Sequence, residues 1–331
     1  MLKVEGSVRA KGFRHVGADL MEPVDLSNVL SHCALCPRQC GVNRLAGETG
    51  FCRAGKEAEI YRYAPHFGEE PPVSGSRGSG TIFFSRCTLR CLYCQNYPWS
   101  QEGAGTKISA GNLAAILRKL KTQGCHNWNL VSPTPWLPVI FDALKNARSA
   151  GCSLPVVYNT SGYERVETLR ALEDIVDVYL ADLRYAREST ADDCSRAGDY
   201  VKNSRLALLE MWKQNGRLKM SPDGTAVSGV ICRILILPGL AGEACENIRW
   251  LAENIGTDIA VSVMAQYTPA YQAGKSAKLN RIISGDEYRR VCRAVEREGF
   301  SNGWIQDYNG PGNPELAGFN MPALAPECLP G

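Results

Sequence analysis

The stretch "TIFFSRCTLRCLYCQN", residues 81–96, decides how the rest of the chain is read. Its opening, residues 81–85, is a short apolar run suited to a buried strand. Directly behind it come Cys87, Cys91 and Cys94, spaced C-x3-C-x2-C. A structural zinc site closes with four ligands, and a disulfide needs an even number of thiols. No fourth ligand follows nearby, since the next histidine, His126, lies beyond a helix and into another strand. Three thiolates with one coordination position left open form a catalytic arrangement rather than a closed structural one. A soft, all-sulfur donor set points to an iron–sulfur cluster with one iron free to bind something that is not protein.

Outward from the trio, strand and helix patterns alternate. A helix is expected over residues 109–124, with Leu113, Ile116, Leu117 and Leu120 on one face, Ser109 as its cap and Gly124 as its stop. Further strands are expected over 127–133, 154–162, 175–184, 229–239 and 258–269. Helices follow them near 138–149, 165–172, 192–215, 243–255 and 285–298. The strands are near-continuous apolar runs, as parallel strands buried on both faces should be. With the first strand these make a (βα)6 pattern, compatible with an open doubly wound sheet or an incomplete barrel. Both architectures place ligands at the C-terminal ends of the strands. The unusual residues gather there: the cysteine loop, "SPTP" at 132–135, "NTSG" at 159–162, "DLR" at 182–184 and "QYTP" at 266–269. Residues 1–75 read as an irregular, cysteine-rich arm, 76–300 as the (βα)6 core and 301–331 as a C-terminal extension. The run "GEEPPVSGSRGSG", 68–80, reads as a linker or extended loop.

Composition narrows the class. The chain has 331 residues, 44% hydrophobic and 21% charged, with a formal charge of +3. That near-balance gives no electrostatic basis for binding nucleic acid or a membrane surface. No segment approaches the roughly 20 apolar residues of a membrane span, and residues 1–14 lack the apolar centre of a secretory signal. A cytoplasmic protein is expected, with its thiols reduced. Of its 14 cysteines, Cys125, Cys152, Cys194, Cys232, Cys245, Cys292 and Cys328 are scattered singly and read as packing residues. The others form two clusters.

"CTLRCLYC" resembles the C-x3-C-x-aromatic-C signature of radical S-adenosylmethionine enzymes. The stretches "NLVSPTPWLP", "VVYNTSGY", "VDVYLADLRY", "ALLEMWKQNG", "RILILPG" and "MAQYTPAY" are similar to uncharacterised iron–sulfur proteins related to pyruvate formate-lyase activating enzyme. With "CALCPRQCGVNR" and "GETGFC", the resemblance covers about residues 30 to 300. It implies a partial TIM-type barrel and a [4Fe-4S] cluster held by Cys87, Cys91 and Cys94. The open iron would chelate the amino and carboxylate groups of S-adenosylmethionine. Reductive cleavage would give methionine and a 5′-deoxyadenosyl radical that abstracts a substrate hydrogen. By position, the resemblance places Tyr93 near the adenine and assigns the ligand's amino group to carbonyls of Ser132, Pro133, Thr134 and Pro135. It sets Asn159 and Ser161 against the ribose or carboxylate, and Asp182 and Arg184 against the ligand's charged groups. It also implies a low-potential reductant such as flavodoxin or ferredoxin. Two positions depart from the pattern: Arg184 stands where lysine is usual, and Pro135 where histidine is common. Guanidinium and ammonium are not interchangeable, so a relative's substrate does not carry over with the signature.

The upstream cluster, Cys33, Cys36, Cys40 and Cys52, is C-x2-C-x3-C-x11-C, with Gly41, Gly47 and Gly50 letting the backbone wrap. Four thiolates make a closed site. A single C-x2-C knuckle favours an auxiliary [4Fe-4S] cluster over the alternative, structural zinc. Gln266 and Tyr267 end the last expected strand and are candidate substrate contacts. Arg233 has two readings, inward toward a substrate or outward to solvent. No histidine is assigned a catalytic role, though His66 lies nearest a plausible site. The substrate is expected to be a protein or peptide, as for an activating enzyme, with a small metabolite as the alternative. A non-catalytic iron–sulfur carrier is the reading from another class.

Overall fold

The computed structural model describes residues 22–308. Residues 1–21 of the expected arm and 309–331 of the expected extension, Cys328 among them, lie outside the described residues. In chain order the strands are β1 (Ala58–His66), β2 (Ser79–Phe84), β3 (Thr106–Ile108), β4 (Trp128–Val131) and β5 (Val156–Thr160). They continue as β6 (Val178–Asp182), β7 (Lys219–Met220), β8 (Ala226–Leu235), β9 (Ala260–Met264) and β10 (Gly303–Ile305). The sheet order is β10-β9-β8-β6-β5-β4-β2-β1-β3, with β7 paired to β8 off this path. From β2 to β10 every neighbouring pair is parallel.

That order distinguishes the two architectures left open by the sequence. A doubly wound sheet reverses direction part-way, whereas here each parallel strand lies beside its predecessor without reversal. Crossovers of one hand then put all helices on the same face, which is barrel winding. The order ends at β10 and β3 with no pair joining them, so the barrel is partial. The fold is the expected α/β partial barrel with a mostly parallel sheet. No helix among the described residues is long and apolar enough to cross a membrane.

Local signals explain the helices. Ser109 caps Ala110–Thr122 by accepting from the Asn112 N–H, and Ser284 with Glu287 forms a capping box on Gly285–Arg297. Ala110–Thr122 packs on Leu137–Ser149, and Ala241–Asn254 on Gly285–Arg297. Three expectations are corrected. The long helix expected over 192–215 is two, Glu188–Ser195 and Tyr200–Asn215, because Arg196 takes a left-handed φ of 52° and ends the first. Part of the stretch expected to be irregular is strand: β1 pairs antiparallel with β2, carried by the strand-forming run Ile60-Tyr61-Arg62-Tyr63. A seventh parallel strand, β10, follows the last helix but has only three residues, too few for a periodic signal.

Strand periodicity separates two cores. Trp128, Leu130, Val156, Tyr158, Tyr179, Cys232 and Val261 face the helices in the main core. The alternate residues Val157, Val178, Leu180, Ile231 and Ala260 form a small core inside the barrel, joined by Val73. Val73 belongs to the short helix Pro71–Ser74, whose Val73 carbonyl accepts from Asn127 Nδ2 at 2.7 Å. The expected linker therefore plugs the barrel floor.

Candidate active site

Stepping two residues along each inner face, from the apolar floor toward the C-terminal end, gives polar side chains. Val157 leads to Asn159, Leu180 to Asp182, Ile231 to Arg233 and Ala260 to Ser262. Above them lies a chamber of about 250 Å³ whose lining includes Cys87, Cys91, Cys94, Ser132, Asn159, Ser161, Asp182, Arg184, Arg233 and Gln266. The cysteine trio and most strand-end candidates thus share one space.

Each sulfur of the trio has a hydrogen-bond partner able to donate. Leu89 N–H points at Cys87 Sγ at 3.4 Å, and the Ser100 hydroxyl lies 3.1 Å from Cys94 Sγ. Cys91 Sγ accepts from Ser195 Oγ at 3.0 Å and from Arg184 Nη1 at 3.1 Å. Burial first, and the neighbouring Cys91 second, push the Cys87 thiol up to about 12 and raise Cys94 as well. Bare thiolates are costly here, and a cationic centre bound by all three offsets that cost. Among the described residues no set of three or more His, Cys, Asp or Glu side chains is drawn together as the ligands of one metal ion.

Beside the sulfurs is a charge network. Asp182 Oδ2 accepts from Arg184 Nη2 at 2.6 Å and Nε at 3.1 Å, while Oδ1 accepts from Arg233 Nε at 2.8 Å. Arg233 points inward: its Nη2 donates to Asn159 Oδ1 at 2.6 Å and its Nη1 meets Glu69 Oε2 at 3.3 Å. Asn129 and Asn159 donate their amides to Glu69 Oε1. Burial opposes the ionised form of Asp182, but Arg233 and Arg184 together outweigh it and hold the carboxyl below its usual range.

The other candidates are placed differently. Tyr93 is buried outside the chamber lining, its hydroxyl 2.7 Å from that of Tyr185, which in turn meets Ser195 Oγ at 2.5 Å. That chain of hydroxyls ends on Cys91 Sγ. Pro133 offers its carbonyl to Trp136 N–H, and the Pro135 carbonyl is taken by Arg44 Nη1 at 2.7 Å. Thr134 donates to Glu164 at 2.7 Å. Ser132, Thr134 and Pro135 line a small recess beside Cys87 and Ser161. Gln266 reaches the chamber, whereas Tyr267 is buried with its hydroxyl on the Leu279 carbonyl at 2.6 Å. Glu69 and Met264 line the chamber without having been singled out from sequence. Glu69 lies in the proline-rich run that reads as linker, and Met264 shows only as one apolar residue of an apolar strand.

The upstream cysteines lie in a separate loop. Cys33 N–H bonds the Val42 carbonyl, Gly41 N–H bonds the Cys33 carbonyl, and Phe51 N–H points at Cys40 Sγ at 3.4 Å. A Cβ on Gly50 would lie 2.7 Å from Cys40 Sγ, so only glycine lets the chain pass that sulfur. Burial, then the neighbouring Cys52, raises the Cys36 thiol well above its ordinary value; Cys52 in turn feels Cys33 and Cys40.

Glu164 lies fully buried beneath the Ser132–Pro135 turn. Its Oε1 accepts from Thr134 and Thr160, and Oε2 has no partner. Burial pushes the carboxyl up to about 7. Because the folded value exceeds the unfolded one near 4.5, the folded chain keeps this proton while the unfolded chain loses it. Stability should therefore fall as pH rises from about 4.5 through about 7, by roughly 3 kcal/mol at most. In Glu164→Gln that slope should flatten, seen in melting temperature against pH. Parallel curves for variant and parent would show that Glu164 does not titrate in this window.

No protein-family model matches the chain. The chain is similar to an uncharacterised protein of Methanocaldococcus jannaschii, MJ0674, at 29% identity over 278 residues, covering 82% of this chain and 76% of that one. A second uncharacterised protein of that organism, MJ0808, is 25% identical over 169 residues, 46% of this chain and 49% of that one. Among solved structures, it is similar to Streptococcus suis SuiB bound to S-adenosylmethionine, with a TM-score of 0.45 and 10% identity over 68% of this chain and 49% of that one. It is also similar to anSMEcpe with bound AdoMet, with a TM-score of 0.44 and 10% identity over 64% and 57%. The chain thus spans about half the length of these solved chains.

Proposed function

We propose that this chain is a radical S-adenosylmethionine enzyme. The observation that carries the reading is the shared chamber. Three cysteines from the first βα loop open onto the same space as Asn159, Ser161, Asp182, Arg184, Arg233 and Gln266, drawn from four other strand ends. The donor set fits an iron–sulfur cluster with an open iron: three thiols, each with a hydrogen-bond partner, and a guanidinium against one of them. With S-adenosylmethionine bound, a [4Fe-4S] cluster on Cys87, Cys91 and Cys94 supplies one-electron cleavage of the sulfonium and a 5′-deoxyadenosyl radical that takes a substrate hydrogen.

The chain's own residues hold and orient. Asp182 fixes the Arg184 guanidinium so that its Nη1–H is held against Cys91. A hydrogen bond donated to a cluster sulfur favours gain of an electron. Asn159, locked between Arg233 and Glu69, presents a fixed face to the chamber. The upstream four cysteines are read as holding a second [4Fe-4S] cluster, with zinc the alternative, in an arm separate from the catalytic chamber. The chemistry requires a low-potential reductant, such as flavodoxin or ferredoxin.

The test is anaerobic reconstitution with iron and sulfide, then addition of S-adenosylmethionine and dithionite, with 5′-deoxyadenosine quantified by chromatography. Accumulation of 5′-deoxyadenosine is expected. A protein carrying its full iron that leaves S-adenosylmethionine intact sinks the enzyme reading.

A further inference from the structure

A second cavity, of about 340 Å³, adjoins the chamber and shares Gly68, Glu69, Arg233, Met264 and Gln266 with it. Its size falls in the range of small-molecule sites, about 300–1,000 Å³. We infer that this side cavity seats the substrate and takes an alkyl chain ending in a cation, the ammonium or guanidinium of a lysine- or arginine-type side chain. The inference rests on the proposed radical chemistry only in making the bound group a substrate; the cation preference stands on the cavity alone.

The charges argue for it. Glu69, Glu70 and Asp307 line the cavity, opposed by Arg233. That guanidinium is already engaged by Asp182, Glu69 and Asn159. Glu70 is only 8% exposed, and its Oε2 has no hydrogen-bond partner. Burial raises its carboxyl above the ordinary range, with Arg233 opposing. Ser262 and the backbone hydrogen-bond this carboxyl without outweighing burial, so its unpartnered oxygen remains costly, and a cation seated beside it offsets that cost. An anion meets three carboxylates, and a purely apolar group leaves Glu70 Oε2 without a partner. The remaining walls suit an alkyl stem: Met264 and Ile305 are apolar, and Trp304 adds an aromatic side chain to the lining.

The source of the cation, a residue within a peptide or a free amine, is separable by experiment. Calorimetric titration of the anaerobic, cluster-loaded chain would use Nα-acetyl-lysine methylamide, its neutral analogue lacking the terminal nitrogen, Nα-acetyl-norleucine methylamide, and 1,5-diaminopentane. Each is titrated with and without saturating S-adenosylmethionine. The lysine probe is expected to bind with S-adenosylmethionine present, and the norleucine probe about tenfold or more weaker, as loss of a charged hydrogen bond implies. Glu70→Gln should weaken the lysine probe by a similar factor. Should that variant fail to fold, Asp307→Asn at the exposed rim is expected to weaken it several-fold. Stronger binding of the blocked lysine than of diaminopentane identifies a peptide source, and the reverse a free amine. Equal binding of lysine and norleucine probes, or undiminished binding by a folded Glu70→Gln, overturns the inference. So does displacement of the lysine probe by S-adenosylmethionine, which would assign these acids to that ligand's own ammonium. Glu70-dependent lysine binding by a protein that never cleaves S-adenosylmethionine keeps the cation site and rejects the radical reading. Cleavage without any lysine preference does the opposite.

Discussion

Cys91→Ala is expected to lose 5′-deoxyadenosine formation to background and to lower bound iron, while the chain stays folded. The geometry singles this cysteine out. Of the three sulfurs, Cys91 Sγ alone takes two side-chain donors, Arg184 Nη1 and Ser195 Oγ. It is 2% exposed, and the flanking backbone is pinned: Arg90 N–H to the Ser195 carbonyl at 3.0 Å, and Leu92 N–H to the Cys194 carbonyl at 2.8 Å. The loop therefore keeps its shape in the variant, with one ligand missing from it. Arg184 stays paired with Asp182, so no charge is stranded. Losing a direct ligand should exceed the roughly 10–100-fold that changes beyond the ligands typically cost. Cys245→Ala, a scattered and half-buried cysteine, serves as the control and should leave iron unchanged. Undiminished 5′-deoxyadenosine from the Cys91 variant would refute the assignment of the trio. Measuring iron in the same samples keeps a loss of cluster apart from a loss of turnover.

What could be read from the sequence follows from what is local. The cysteine trio sits within eight residues behind an apolar strand, and the strand ends carry polar residues at recurring places, so the chamber's cysteine wall and its Asp182–Arg184 side were legible. Arg233 was not. In a strand buried on both faces, Ile231, Cys232 and Ile234 give no alternation to say which way Arg233 points, and only pairing with Asp182 decides it. Glu69 and Glu70 were missed for a different reason. Glycine and proline around them look like a linker, yet those prolines start the helix that plugs the barrel. Winding direction also lay beyond the sequence, since strand order is a property of pairing at long range. Tyr93 follows the signature, and its ring packs toward Tyr267 while its hydroxyl meets that of Tyr185.

Arg233→Met should be the most destabilising single change in the chamber. Arginine and methionine have similar reach, so packing along the stem is largely kept and the loss is electrostatic. Asp182 Oδ1, Glu69 Oε2 and Asn159 Oδ1 all lose their donor inside the barrel. Breaking a buried pair by removing one partner costs about 3–5 kcal/mol. The lower end applies here, because Arg184 still holds Asp182 Oδ2 and two asparagine amides still hold Glu69 Oε1. A loss near 3 kcal/mol corresponds to a melting temperature lower by roughly 5 °C at pH 7 in a chain of this length. The acid limb should shift too. Asp182 has a depressed folded value, so its contribution is present above the unfolded value near 3.9 and is lost as pH falls through the folded one. Without Arg233 the folded value rises, less of that contribution remains at neutral pH, and protonation sets in at a higher pH. Melting curves from pH 7 to pH 3 test both parts: a variant that melts with its parent at pH 7 and traces the same acid limb would mean that Arg233 does not hold this network together.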